Sequence, residues 1–128
     1  MADVNRGNRP LSPHLSIYRP PMTSVLSILH RITGVGMSLS AVLIVWWFLA
    51  AATGPEYFEF VDGLLTSWLG LLILVASLWA FWFHFFNGIR HLRWDAGVGL
   101  GLSASARTGW IAVILSVAMT VLCVILAV

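Results

Sequence analysis

One histidine stands where lipid should exclude it. His84 lies inside the run Phe81-Trp82-Phe83-His84-Phe85-Phe86, with no polar neighbour in sequence. Ionisable groups are costly inside membrane-length apolar segments and mark functional positions there. A neutral imidazole needs a partner for at least one ring nitrogen. Two partners would satisfy it: a haem iron, for which imidazole is a standard axial ligand, or a hydrogen-bonding group on another helix or loop. Gly88 and His91 follow at i+4 and i+7 and share its helical face. Gly88 removes a side chain there, which lets a flat macrocycle or another helix approach closely. His91 cannot ligate the same iron, because it lies about 10 Å further along the same helix and axial ligands occupy opposite sides of one metal. His91, Arg90 and Arg93 are expected to face headgroups or propionates.

A second group recurs at i, i+3, i+4 and i+7: Ser27, His30, Arg31 and Gly34. This spacing makes one helical stripe. A hydroxyl, an imidazole and a guanidinium together can bind a carbonyl or carboxylate oxygen, and arginine suits a haem propionate or a quinone carbonyl. The competing reading is an arginine snorkelling to lipid phosphates, with Ser27 and His30 capping or packing. His30 as a second axial ligand is disfavoured by depth, since the apolar run begins only at Ile32. If the haem has two histidine ligands, the second is expected from another chain.

The elements that must position these residues are membrane helices. The chain has 128 residues, 59% hydrophobic and 9% charged, with mean hydropathy +0.92. A soluble domain carries about 25% charged residues. Uncharged or nearly uncharged runs cover Ile32 to Ala52, Leu64 to Ile89 and Gly109 to Val128. A span needs about 20 such residues. The fold class is therefore all-α: a single membrane-anchor domain over 1–128, with three transmembrane helices at about 24–52, 64–94 and 108–128. Thr23 or Ser24 is the expected cap of the first helix, Gly54-Pro55 ends it, and Ser105 or Thr108 is the expected cap of the third. Gly97, Gly99 and Gly101 read as a flexible loop, since no strand precedes them to make a phosphate loop.

Arginine placement predicts orientation. Arg6, Arg9, Arg19 and Arg31 precede or open the first span, and Arg90, Arg93 and Arg107 flank the loop after the second. The loop between the first two spans carries only Glu56, Glu59 and Asp62. The N-terminus is thus expected in the cytoplasm and the C-terminus in the periplasm, with Trp68, Trp94 and Trp110 near the interfaces. The N-terminal residues show neither a signal-peptide nor a transit-peptide pattern, which favours a bacterial inner membrane. The net charge of +2, with no lysine, gives no basic run for nucleic acid. The lone Cys123 reads as a small buried hydrophobe, and one cysteine builds no disulfide, zinc or iron–sulfur site.

Two motifs carry a resemblance to a known family. The first is Arg9-Pro10-Leu11, leading through His14, Tyr18 and Arg19 to Ser27-Ile28-Leu29-His30-Arg31-Ile32-Thr33-Gly34. The second is His84-Phe85-Phe86-Asn87-Gly88-Ile89-Arg90-His91-Leu92-Arg93-Trp94-Asp95. They match the patterns R-P-x, S-x-x-H-R-x-S/T-G and H-x-x-x-G-I/L-R-H-L/M-x-x-D throughout. The chain resembles the cytochrome b membrane-anchor family of succinate dehydrogenase. The resemblance implies that His84 is an axial ligand of haem b, that His30 and Arg31 contact its propionates, and that Ser27, Ile28 and Arg31 belong to a ubiquinone head-group site. It also implies partners: a second anchor chain supplying the other haem ligand and the other half of a heterodimeric helical bundle, an iron–sulfur subunit, and a flavoprotein subunit with FAD. The expected function is passage of electrons from succinate through the iron–sulfur subunit to ubiquinone. This chain has no flavin fingerprint and no cysteine cluster, so it cannot oxidise succinate alone. Alternatives are a menaquinol-linked fumarate reductase anchor and a cofactor-free structural anchor.

Overall fold

A computed structural model describes residues 17–127; Arg6, the Arg9-Pro10-Leu11 part of the first motif, and His14 lie outside them. Four helices follow one another: α1 (Met22–Thr53), α2 (Pro55–Leu65), α3 (Trp68–Asp95) and α4 (Leu102–Ala127). Three of them, α1, α3 and α4, are long and apolar enough to cross a membrane. At about 1.5 Å per residue they reach roughly 40–48 Å, more than the ~30 Å hydrocarbon core, so their ends extend into the headgroup region.

The boundaries follow local chemistry and shift several sequence expectations. Neither Thr23 nor Ser24 caps α1. Pro21 does, in an extended conformation and without a side-chain bond, its carbonyl accepting from the backbone N–H groups of Ser24 (3.0 Å) and Val25 (3.2 Å). Gly54 ends the helix at φ +152°, a region that disfavours side chains. The segment 55–63, expected as loop, and Leu64 and Leu65, expected to open the second span, form the short helix α2, with Pro55 at its first turn and Glu56 near its positive end. Trp47 Nε1 donates to Asp62 Oδ1 at 3.0 Å and Trp46 Nε1 donates to the Tyr57 hydroxyl at 2.9 Å, tying α2 to the end of α1. The next span therefore begins at Trp68 rather than Leu64. The Ser67 hydroxyl caps it by accepting from the Gly70 N–H at 3.2 Å. The last helix begins at Leu102, six residues before the expected Thr108. Ser105 and Thr108 lie within it, and Thr108 Oγ1 donates back to the Ala104 carbonyl at 3.0 Å.

The central helix is α3, packed between α1 and α4. Lipid tails are as apolar as leucine, so small residues and interhelical hydrogen bonds must hold such helices together. Ser105, Gly109, Ala112, Ser116 and Thr120 form the buried stripe of α4. A Cβ on Gly109 would stand 2.5 Å from Leu26 Cδ1, which shows how tightly α1 and α4 approach there. Arg90 is only 5% exposed. Its Nε donates to Thr108 Oγ1 at 3.3 Å, one terminal nitrogen to the Ser105 carbonyl at 3.1 Å, and the other to Asn87 Oδ1. The guanidinium also lies over the Trp94 ring at 4.7 Å. Arg90 was expected to face headgroups or propionates; instead it pins α4 to α3. Cys123 is half-buried, not buried. The start of α1, the end of α3 and the start of α4 thus meet at one end of the bundle, and the acids of α2 lie at the other.

Candidate functional site

The arginine-bearing end holds the polar residues singled out in the sequence. His84, half-buried on α3, bonds to α1. Its Nδ1 lies 3.0 Å from the His30 carbonyl and 3.3 Å from Thr33 Oγ1. A carbonyl oxygen only accepts, so Nδ1 carries the hydrogen and Nε2 presents its lone pair. Among the described residues Nε2 has no hydrogen-bond partner. The lone imidazole therefore satisfies its polar requirement through one nitrogen and keeps the other for a ligand, an arrangement common to metal-bound histidines.

The His30 ring stacks on His84 with centroids 3.8 Å apart and planes 16° apart. His91 stacks on His30 at 4.9 Å and 17°. Two rings so nearly parallel to a third, and so close to it, cannot share one of its faces. The three imidazoles therefore form a column with His30 in the middle. His91 Nδ1 is 2.8 Å from the Asn87 carbonyl, which by the same argument leaves its Nε2 as an acceptor. His30 Nδ1 is buried without a partner among the described residues. The column confirms that His84 and His91 share a face of α3.

Beside the column lies a cleft of about 390 Å³ between α1 and α3, within the usual range for small-molecule sites. Ser27, Ile28 and Arg31 line it from α1; Asn87, Arg90, His91 and Trp94 line it from α3. The three residues expected to share a quinone site thus do meet in one cleft. His84 and His30 are not in its lining, so the structure separates an imidazole column from an adjoining pocket, with His91 common to both. Arg31 is exposed, with its donors available to an incoming group. No cluster of three or more metal-ligating side chains occurs among the described residues; any iron here would need most of its ligands from elsewhere, as in a porphyrin.

Close approach of the helices depends on Gly34 rather than Gly88. A Cβ on Gly34 would lie 3.1 Å from His84 Cε1 and 3.6 Å from Nδ1, whereas one on Gly88 would meet nothing within 4 Å. Gly88 thus opens toward space that no described residue fills. Sequence reasoning assigned no role to Thr33 or Asn87. Both are polar residues three positions after a flagged histidine, and that spacing was the available signal.

Comparison with known proteins gives a consistent picture. The family model described as succinate dehydrogenase/fumarate reductase transmembrane subunit matches residues 5–123. The succinate dehydrogenase cytochrome b556 subunit of Paracoccus denitrificans is 48% identical over 125 residues, covering 98% of this chain and 96% of the relative. The cytochrome b556 subunit of Rickettsia bellii is 40% identical over 114 residues, covering 89% of each. The cytochrome b560 subunit of Marchantia polymorpha is 38% identical over 108 residues, covering 80% of this chain and 78% of the relative.

Proposed function

The chain belongs to the succinate dehydrogenase/fumarate reductase transmembrane subunit family, and from that premise we propose that it is the haem b-binding anchor of a succinate dehydrogenase and forms part of its ubiquinone-reduction site. The observation that carries this reading is His84: an imidazole tied through Nδ1 to a carbonyl of α1, with Nε2 left for a ligand. The relatives named above are succinate dehydrogenase subunits, which favours this over a fumarate reductase anchor.

The residues fit a haem b. His84 Nε2 would hold the haem iron from this chain, and a second anchor chain would hold it from its own side. His30 and Arg31, next to each other near the start of α1, would be the donors for the propionates. Gly88 keeps the α3 surface open toward the group. When bound, the haem supplies a one-electron redox centre beside the quinone site. The cleft receives the quinone head group. Ser27 donates its hydroxyl hydrogen to a quinone carbonyl, Arg31 supplies positive charge to the same oxygen, and Ile28 covers the ring. With five N–H donors, Arg31 can serve propionate and quinone together. Of the 32 residues of α1, only Leu26, Thr33 and Ala50 are buried, which leaves surface for lipid and for the second anchor chain. An iron–sulfur subunit docked at the arginine-bearing end, with an FAD-containing flavoprotein behind it, delivers the electrons. By arginine placement that end is cytoplasmic and the membrane is the bacterial inner membrane.

The test is a dithionite-reduced minus oxidised spectrum of the purified complex, for wild type and His84→Leu. A b-type α-band is expected in the wild type and is expected to be lost or displaced in the variant. An absent band in the wild type would leave a cofactor-free anchor. An unchanged band in the variant would remove His84 as ligand.

A further inference from the structure

We infer that α1 sets the tautomer and tilt of the haem-ligating His84, through the Thr33 hydroxyl, the His30 carbonyl and the missing side chain of Gly34. This rests on His84 being the ligand.

The geometry is specific. Thr33 is buried at 4% exposure, so water does not substitute for its hydroxyl. Its Oγ1 donates within its own helix, at 2.8 Å from the Leu29 carbonyl and 3.0 Å from the His30 carbonyl, the back-bonding habit of threonine in helices. That direction of donation turns a lone pair toward α3, where His84 Nδ1 lies 3.3 Å away. The Nδ1–H is therefore shared between two acceptors, the Thr33 hydroxyl oxygen and the His30 carbonyl oxygen. Neither asks Nδ1 to accept, so the Nε2–H tautomer, which cannot ligate iron, is excluded. Gly34 controls distance. With no Cβ it lets the Nδ1–Cε1 edge of the ring seat against α1; an alanine there would press on Cε1 from 3.1 Å. Three features of one helix turn, the His30 carbonyl, the Thr33 hydroxyl and the gap at Gly34, thus act on a side chain at least 50 residues later in sequence. Thr33 and Gly34 are positioning residues in this account, since each acts through His84.

Acceptors on Nδ1–H make an imidazole more electron-donating, which favours ferric iron. Thr33→Val keeps the shape and deletes one acceptor. In the purified membrane complex it is expected to raise the haem midpoint potential and to lower haem affinity by about tenfold, the lower end for supporting residues of a metal ligand. Thr33→Ser keeps the hydroxyl and is expected to restore both. Gly34→Ala is expected to displace the ring and shift the g-values of the oxidised haem in electron paramagnetic resonance, with the α-band retained. Wild-type potentials and g-values in Thr33→Val and Gly34→Ala would overturn the inference, as would Thr33→Ser behaving like Thr33→Val. Should Gly34→Ala fail to assemble, the threonine pair still decides. His84→Leu, measured alongside, separates the two levels: a displaced band there with silent Thr33 variants sinks only the positioning role, whereas an unchanged band sinks the ligand assignment beneath it.

Discussion

At the scale of single residues, two arginines of similar sequence surroundings do different work. Arg31 and Arg90 both sit near the end of an apolar run and beside a histidine. Both line the cleft, but Arg31 is exposed there, while Arg90 is buried and bonded to Asn87, Ser105 and Thr108. Replacing Arg90 with lysine keeps the charge but cannot reproduce a planar fork with three separate partners. Arg90→Lys is expected to destabilise the complex by roughly 1.5–3 kcal/mol, the range for hydrogen bonds to charged groups, seen as a lower melting temperature. Ser27→Ala is expected to do the reverse: no change in melting, but about a fivefold higher KM for quinone, equivalent to ~1 kcal/mol for one hydrogen bond. Succinate oxidation with an artificial acceptor should persist. Equal loss in both assays would move Ser27 from the quinone to the fold. Spacing made the His84 face and the Ser27–Gly34 stripe legible, because helical periodicity alone puts those residues together. Periodicity could not say on which side of α3 the last helix would lie, and that is why Arg90 was misassigned.

At the scale of elements, the three spans and their breaks could be read from apolar run length and from Gly54-Pro55 and the Gly97–Gly101 segment. What could not be read was α2. Its 11 residues are too short to span and carry Glu56, Glu59 and Asp62, so composition reads as loop; its helicity depends on the Trp46 and Trp47 bonds to Tyr57 and Asp62, which are contacts between elements. Gly70 is part of the same corner. A Cβ there would lie 2.5 Å from the Leu64 carbonyl oxygen and 2.6 Å from the Leu65 carbonyl carbon. Those are backbone atoms and cannot rotate aside. Gly70→Ala is therefore expected to force the α2–α3 turn open, at a cost of about 1–3 kcal/mol typical of overpacking, read as a lower melting temperature of the assembled complex. An unchanged melting temperature would show that the corner opens freely. The same substitution at Gly88 meets no atom of the described residues within 4 Å. Within α3 it should bring only the modest gain in helix propensity of alanine over glycine, so a loss would point to a group beyond the described residues.

At the scale of the whole molecule, the arginines of the helices are sorted to one end, where Asp95 is the acid among them. Arg31, Arg90, Arg93 and Arg107 gather where α1 begins, α3 ends and α4 begins; Glu56, Glu59 and Asp62 gather on α2 at the opposite end. The site, with its column and cleft, lies wholly at the arginine end. Under the proposed function, electrons from a soluble iron–sulfur subunit, and the protons that quinone reduction consumes, would enter from the side that end faces. Arginine bias predicts that this end faces the cytoplasm. Impermeant thiol labelling tests this, with Cys123→Ala as background. Glu59→Cys, exposed on α2, is expected to react in intact spheroplasts. Ala96→Cys, exposed just after α3, is expected to react only in inverted vesicles. The opposite pattern would place the cleft on the periplasmic face. The haem ligand, the cleft residues and the helices would be unaltered, but the partner that feeds them would have to dock from the other side.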